Sequence, residues 1–202
     1  MATVTKTIGT SSRDYSTISA WEADLSDGDI YSNDDDAVGE MYADSTFTGA
    51  TTTIDGGTSI GGSSGQDLNS VKLTVASASR HDGTAESGAL LKPTSDSGHG
   101  TGIIVIARDD FTIEWLDISM DSLDSNNTNL AISIVSGAGN CTIRNMLIHD
   151  KGGNPGSSGP STIVSGQALT TSENWYFLNN IIYSIVETNN DSASAINIRA
   201  FK

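Results

Sequence analysis

The amino-acid sequence predicts an all-β protein built as a solenoid, because one pattern of residues recurs along its second half. Three segments share the pattern: DDFTIEWLDIS (109–119), GNCTIRNMLIHD (139–150) and ENWYFLNNIIYS (173–184). Phe111, Cys141 and Trp175 align, at intervals of 30 and 34 residues. Self-similarity at such a period is typical of repeat proteins, in which each unit buries its apolar side chains against the next unit.

A shorter apolar run accompanies the pattern, so two strands repeat together. The runs are GIIVIA (102–107), LAISIVS (130–136), STIVSG (161–166) and SAINIRAF (194–201). Their isoleucines Ile104, Ile132, Ile163 and Ile196 are 28, 31 and 33 residues apart. β-Branched runs between Gly, Ser, Asn and Asp clusters indicate strands that end in turns. Each unit is therefore predicted to contain a short strand, a turn and a longer two-part strand.

Equivalent residues of successive units are expected to form columns along the stack, with alternate residues facing opposite sides of each strand. The predicted inward columns are Phe111, Cys141 and Trp175; Ile113, Ile143 and Phe177; and Ile118, Ile148 and Ile182. The predicted outward residues are Thr112, Glu114, Thr142 and Arg144. The three inward columns predict one continuous apolar core.

A bend is predicted within each long strand, where two consecutive columns interrupt the alternation. The bend residues are Trp115, Asn145 and Asn179, followed by Leu116, Met146 and Asn180. Asparagine readily adopts left-handed backbone angles, and its side chain can form hydrogen bonds along the stack. The bend is therefore expected to have the same left-handed geometry in every unit.

The N-terminal region is predicted to cover the first coil with a helix. Residues 14–26, DYSTISAWEADLS, have helical periodicity, and Asp14 or Ser16 is expected to cap the start. The apolar face of this helix consists of Tyr15, Ile18, Trp21 and Leu25. The first coil of a solenoid needs such a cover. We therefore expect residues 1–36 to form an arm and capping helix, and residues 37–202 to form the solenoid.

The repeated pattern N-x-T-I-R-N-x-x-I, best seen at Asn140–Ile148, resembles the right-handed parallel β-helix of pectate-lyase-like proteins. The resemblance covers about residues 37–202, where β-rich runs between turn clusters also predict strands at Ala37–Ala43, Thr51–Ile54 and Val71–Ala76. The N-terminal segments IGTSSRDYSTISAWEADL and AVGEMYADSTF are similar to the start of β-helix proteins from phage and marine bacterial genomes. The expected fold is a right-handed parallel β-helix solenoid with a short N-terminal capping helix.

Composition excludes several classes of function. The 25 Asp and Glu residues against 10 Lys and Arg residues give a net charge of −15, which repels phosphate backbones, so nucleic acid is not an expected partner. No apolar run is long enough to span a membrane, and no secretory signal is visible. The single cysteine, Cys141, rules out a disulfide within the chain and is predicted to be a small buried core residue.

The β-helix enzymes that the chain resembles use two kinds of chemistry. Hydrolases need paired carboxylates, and lyases typically use Ca²⁺ held by carboxylates with an Arg or Lys as base. The resemblance therefore implies catalytic candidates of these residue types. The candidates are Asp109, Asp110, Glu114, Asp117, Asp121, Arg144, His149, Asp150 and Lys151. Alignment of adjacent units places Glu114 beside Arg144, and Asp121 beside Lys151. Both are expected to be structural charge pairs.

The best remaining catalytic candidate is the segment IHDK (148–151), which contains an acid, a base and a cation. The candidate residues are Asp117, Asp121, His149 and Asp150. His149 aligns with Ser119 and Tyr183, which indicates an outward column at a solvated strand end. We therefore predict no catalytic residue and keep this set as the alternative.

No cofactor is predicted, and Ca²⁺ is the one ion with a candidate site. The carboxylate-rich segment DGDIYSNDDDAVGE (27–40) could supply oxygen ligands, although a solvated turn is the expected structure. His81 and His99 lie in Gly/Ser-rich loops without zinc-ligand spacing.

The function favoured by the sequence is a non-enzymatic structural protein of a bacteriophage virion, such as a capsid decoration protein, head fibre or tail-fibre segment. The alternative is a polysaccharide lyase or glycoside hydrolase of a depolymerising tailspike, and a third interpretation is a carbohydrate-binding module. Expected partners are other virion proteins, a surface polysaccharide and further copies of the chain, with a trimer favoured by the resemblance to phage fibres. The run SAINIRAFK (194–202) is followed by no cap, so either the chain is a fragment of a longer one or another subunit or protein covers this edge, and we expect a covering partner.

Overall fold

The chain folds as a parallel β-solenoid. The structure is a computed structural model, and it describes residues 1–49, 51–56, 58–59, 62–63, 66–94, 102–121, 130–135, 137–151, 162–166, 174–185 and 194–198. In chain order its elements are β1 (Thr3–Ile8), α1 (Ile18–Ala23), a 3-10 helix (Asp24–Ser26), β2 (Asp36–Met41), β3 (Thr52–Ile54), β4 (Thr58–Ser59), β5 (Gly62–Ser63), β6 (Ser70–Val75), a second 3-10 helix (Ser77–Ser79), β7 (Leu90–Leu91), β8 (Ile104–Ile106), β9 (Phe111–Glu114), β10 (Asp117–Ser119), β11 (Ile132–Ile134), β12 (Cys141–Arg144), β13 (Leu147–Lys151), β14 (Thr162–Gly166), β15 (Trp175–Leu178), β16 (Ile181–Ile185) and β17 (Ser194–Ile198).

Three parallel sheets form the faces of the solenoid. The first sheet has the order β1-β2-β6-β9-β12-β15, the second β7-β10-β13-β16, and the third β3-β8-β11-β14-β17. Successive strands along the chain, such as β9, β10 and β11, belong to different sheets, and β12, β13 and β14 repeat that order one level higher. This winding gives about four turns and confirms the predicted fold class. The short strands β4 and β5 form an antiparallel hairpin outside the stack.

The registers confirm the inward columns predicted for the long strands. Ile113 pairs with Ile143 and Ile143 with Phe177 in the first sheet. In the second sheet Ile148 pairs with both Ile118 and Ile182. The side chains of Ile113, Ile143, Ile118 and Ile148 are at most 1% exposed, so the columns form the core. Cys141 is also a core residue, and burial raises the pKa of its thiol to about 12.

One predicted register in the third sheet is wrong by a single residue. Ile132 pairs with Ile104, as expected, but its other neighbour is Val164 rather than Ile163. Val164 is 1% exposed and pairs in turn with Ile196. A shift of one residue exchanges the two faces of a strand. The segment STIVSG has adjacent apolar residues, so its alternation alone does not distinguish the two registers.

The bends have the predicted left-handed backbone. The φ angles are 66° at Trp115, 53° at Asn145 and 54° at Asn179. Hydrogen bonding along the stack is carried by the residue after the bend: the side chain of Asn180 accepts from the Met146 amide at 3.0 Å and donates to the Ile143 carbonyl at 2.9 Å. Left-handed bends therefore separate the first sheet from the second at each of these levels.

The capping helix is shorter than the sequence predicts. Helix α1 begins after Thr17, whose hydroxyl accepts a hydrogen bond from the Ala20 amide at 3.1 Å, so neither Asp14 nor Ser16 is the cap. Asp14 instead accepts from the amide and the hydroxyl of Thr7 at 2.7 and 2.8 Å. This contact holds Asp14, which precedes the helix, beside β1.

The predicted arm also contributes to the solenoid. Strand β1 pairs in parallel with β2 over its whole length, from Thr3 against Asp36 to Ile8 against Met41. The sequence interpretation includes neither this strand nor the two-residue β7. Trp21 of α1 is fully buried against the end of the stack, where a Cβ on Gly39 would lie 2.7 Å from its indole ring. Glycine at residue 39 thus makes room for the cap.

Candidate functional site

A chain of titratable groups, of which Asp117 and His149 are buried, lies on the outward side of the second sheet. The Nε2 atom of His149 lies 2.8 Å from a carboxylate oxygen of Asp117, and its Nδ1 atom lies 2.7 Å from a carboxylate oxygen of Asp150. Asp117 begins β10 and His149 is the central residue of β13, so the parallel register of these neighbouring strands brings the two side chains together. The structure thus joins three of the four sequence candidates in one cluster.

The prediction that His149 lies at a solvated strand end is wrong. The side chains of both His149 and Asp117 are 0% exposed. The amide of Glu86, in the loop before β7, donates to Asp117 at 2.7 Å, and the ring of Tyr183 stacks on that of His149 at a centroid distance of 5.5 Å. A preceding loop and a following coil therefore contribute to the cover over this outward column.

Two hydrogen bonds join Asp117, His149 and Asp150, and each of them needs one proton, because each ring nitrogen of His149 faces a carboxylate oxygen. Burial raises the pKa of Asp117 even though His149 opposes the shift. The hydrogen bond from His149 lowers the pKa of Asp150, whose side chain is 43% exposed. Both ring nitrogens are thus engaged within the protein. The arrangement is that of an internal hydrogen-bonded network rather than of a base poised for a ligand.

Ser119 completes the buried cluster without joining its hydrogen bonds. It is the register partner of His149 and is 0% exposed. Among the described residues its hydroxyl has no hydrogen-bond partner. A serine beside a histidine is the arrangement of an activated nucleophile. Here the two carboxylates occupy both nitrogens of the histidine, so the geometry provides no base for Ser119.

The fourth candidate, Asp121, lies apart from this chain of contacts and has a different partner from the predicted one. Its carboxylate is 2.8 Å from the ammonium of Lys92, which also contacts Glu86 at 2.9 Å. Both carboxylates raise the pKa of Lys92. Asp121 lies two residues beyond the end of β10, so the ladder that would align it with Lys151 no longer constrains it. The predicted Asp121–Lys151 pair is replaced by this surface cluster.

The predicted pair of Glu114 and Arg144 is confirmed. The Arg144 guanidinium contacts the Glu114 carboxylate at 2.6 Å, the Thr74 hydroxyl donates to it at 2.9 Å, and the Lys72 ammonium lies 3.7 Å away. Glu114 faces outward, yet its side chain is only 6% exposed beneath these partners. Burial by itself raises the pKa of Glu114, but the hydrogen bonds and the two cations outweigh burial and hold this pKa below its usual value.

Replacing Glu114 with glutamine should lower the free energy of unfolding at neutral pH by about 1.5–3 kcal/mol, the usual contribution of hydrogen bonds to a charged group. Because the pKa is lower in the folded protein, this contribution is present above the unfolded value and is lost as pH falls through the folded value. Urea unfolding at decreasing pH should show the two proteins converging. A difference that stays constant with pH would contradict this, and Thr142→Ser on the same face is the control.

The remaining acidic candidates also have internal roles. A carboxylate oxygen of Asp109 accepts from the Gly139 amide at 2.6 Å, and Asp110 has a left-handed φ of 51°. In the segment 27–40, Asp35 accepts from the amides of Ala2 and Ser32 at 2.8 and 2.9 Å. No group of three or more His, Cys, Asp or Glu residues that could hold a metal ion occurs among the residues that the structure describes. His99 lies outside them.

The structure also contains a groove that the sequence interpretation missed. It has a volume of about 270 Å³ and lies between the loop 81–83 and the stacked bend residues Trp115, Asn145 and Asn179, with Ile181 also in its lining. A tryptophan at a bend that is otherwise asparagine is the sequence signal that could have indicated it.

Comparison of the chain with protein-family models, curated proteins and solved structures finds no match. Within the described part of the chain, no helix has the length and apolar character needed to cross a membrane.

Proposed function

We propose that this chain is a non-enzymatic structural protein of a bacteriophage particle, in the role of a decoration protein, head fibre or tail-fibre segment. The observation that supports a non-enzymatic role is the use of the candidate acid–base groups inside the fold. His149 is held between Asp117 and Asp150, and Asp121 is paired with Lys92. Assignment to a phage particle follows the resemblance of the N-terminal segments.

The stacked architecture suits such a role. Each coil packs on its neighbours through continuous inward columns, which makes a solenoid extended in one direction. The last described coil carries apolar side chains that face outward: Tyr176, Leu178, Ile181 and Tyr183 are 38–49% exposed. Clustered exposed apolar side chains are a common feature of protein–protein contacts. We propose that this coil contacts other particle proteins or further copies of the chain, with a trimer as the favoured assembly.

Fractionation of native source material on a density gradient, followed by mass spectrometry, tests this function. The protein should band with assembled particles at a fixed ratio to a capsid or tail protein. Recovery only among free soluble proteins, with none in the particle fraction, would refute the particle role.

The buried cluster favours one second candidate, a polysaccharide lyase or glycoside hydrolase, because linked titratable groups also occur at active sites. Asp150 is the accessible member, so Asp150→Asn should leave the fold intact. A structural protein releases no product from acidic or neutral polysaccharides, with or without Ca²⁺. Product release by the native chain that is lost in Asp150→Asn would establish the enzyme instead.

A further inference from the structure

We propose that the groove beside Trp115 is a binding site for an uncharged sugar ring, which stacks against the indole. This site goes beyond the particle role and does not depend on it, because its residues would bind a glycan equally in a free protein. The argument rests on the backbone at Trp115, on the contacts that fix its ring, and on the chemistry and charge of the lining.

Trp115 occupies its position against the local backbone preference. The equivalent residues of the next two coils are Asn145 and Asn179, and all three have φ between 53° and 66°. Asparagine tolerates this region, whereas a bulky side chain is strained there. A residue that conflicts with local preference while the rest of the repeat obeys it is expected at a functional position.

The indole is held in place by its neighbours before any ligand arrives. The Arg80 guanidinium carbon lies 4.8 Å from the centroid of the Trp115 ring, and the His81 ring lies 5.9 Å from it. His81 is itself fixed, because its Nε2 donates to the Asn145 carbonyl at 2.8 Å. A platform ordered in this way costs less entropy on binding than a mobile aromatic side chain. Trp115 nevertheless remains partly exposed.

Polar groups surround the aromatic ring in the lining of the groove. His81 is only 8% exposed, and its Nδ1 has no hydrogen-bond partner among the described residues. The side chains of Asn145 and Asn179 add amide donors and acceptors. The hydrogen bond from the Thr84 amide lowers the pKa of Asp82, so its carboxylate is ionised at neutral pH. An apolar surface with a few convergent polar groups is the usual form of a small-molecule site.

Size and charge narrow the ligand to one class. A groove of about 270 Å³ lies just below the range of roughly 300–1000 Å³ that drug-sized ligands occupy, so it suits a single ring. A sugar ring combines an apolar C–H face with hydroxyl groups that match the lining. Asp82 and a net charge of −15 disfavour anionic sugars. The geometry therefore favours a neutral hexopyranose or its N-acetylated derivative.

The substitution Trp115→Asn tests the site sharply, because it installs the residue that the other two coils carry. Native protein and variant are applied to an array of neutral and acidic oligosaccharides, and the bound neutral oligosaccharide is titrated by calorimetry. We expect Trp115→Asn to bind about ten-fold more weakly or worse, and its melting temperature to stay equal or rise because the backbone strain is relieved. Tyr42→Ser is the matched control: it removes another partly exposed aromatic ring that an arginine contacts, outside the groove, and should leave binding unchanged.

A nitrogen–proton spectrum of the native protein provides a second measurement that needs no variant. Of the three tryptophans, Trp115 alone lines the groove, so it alone should change its indole resonance when the neutral oligosaccharide is added. Trp21 is fully buried, and the indole N–H of Trp175 donates to the Ala138 carbonyl at 2.6 Å. The proposal is overturned by any of three results: no neutral oligosaccharide binds at millimolar concentration, Trp115→Asn binds as the native protein does, or only acidic oligosaccharides bind.

Discussion

Replacing Asp117 with alanine is expected to lower the free energy of unfolding by about 3–5 kcal/mol. Asp117 and His149 are both 0% exposed, and the carboxylate lies 2.8 Å from the imidazole. Its other oxygen accepts from the Glu86 amide at 2.7 Å. The alanine variant therefore leaves a buried ring nitrogen and a loop amide without their partner. Urea denaturation of the two proteins at neutral pH measures the difference.

Two further variants separate this effect from general damage to the site. Asp150→Asn keeps a hydrogen-bonding group at a position that is 43% exposed, and we expect it to cost less than about 1 kcal/mol. The double variant Asp117→Leu, His149→Leu should recover much of the lost stability, because it removes both buried polar groups together. A loss below about 1 kcal/mol in Asp117→Ala would show that the contact has little structural importance.

Replacing Trp21 with alanine is the second large expected effect, again with a loss of about 3–5 kcal/mol. The indole is fully buried, packs directly over Gly39, and donates its N–H to the Tyr31 hydroxyl at 3.1 Å. Alanine would open a cavity at the end of the stack, between α1 and Gly39 of β2. The same variant also leaves the buried hydroxyl of Tyr31 without this donor.

Ala20→Ser is the control for this change, since it alters an exposed residue of the same short helix. It should shift the free energy of unfolding by no more than about 0.5 kcal/mol. Thermal and urea unfolding of the three proteins gives the comparison. Equal stability of Trp21→Ala and Ala20→Ser would mean that α1 does not act as a cap.

The repeat was predictable from sequence because its inward columns combine regular spacing with strong apolar character. The alignment of Phe111, Cys141 and Trp175 needed only local pattern, and the register of the first sheet agrees with it. The third sheet was harder, because Ile163 and Val164 are equally apolar neighbours. Choosing between them depends on which residue meets Ile132 in space, and no local pattern specifies that contact.

The burial of His149 could not be predicted, because its covering groups are distant in sequence. The loop that contains Glu86 belongs to the coil below that of Asp117, two coils below His149, and Tyr183 belongs to the coil directly above His149. Local alternation correctly placed His149 on the outward side of its strand, but an outward residue is exposed only when nothing covers it. The start of the helix was mispredicted for a similar reason, because the partner of Asp14 lies in another element. Its carboxylate accepts a hydrogen bond from the hydroxyl of Thr7 in β1, so it does not cap the helix.

The side chains along one inward column differ in size from coil to coil, so one coil of the solenoid cannot simply replace another. From β2 to β15 this column consists of Ala37, Val71, Phe111, Cys141 and Trp175. The small Cys141 lies next to the large Trp175, and a Cβ on Gly166 would collide with that indole. Duplicating or exchanging a coil, by recombination or by design, would put large side chains together or leave a gap. Such a chain can lengthen only if compensating substitutions accompany the new coil.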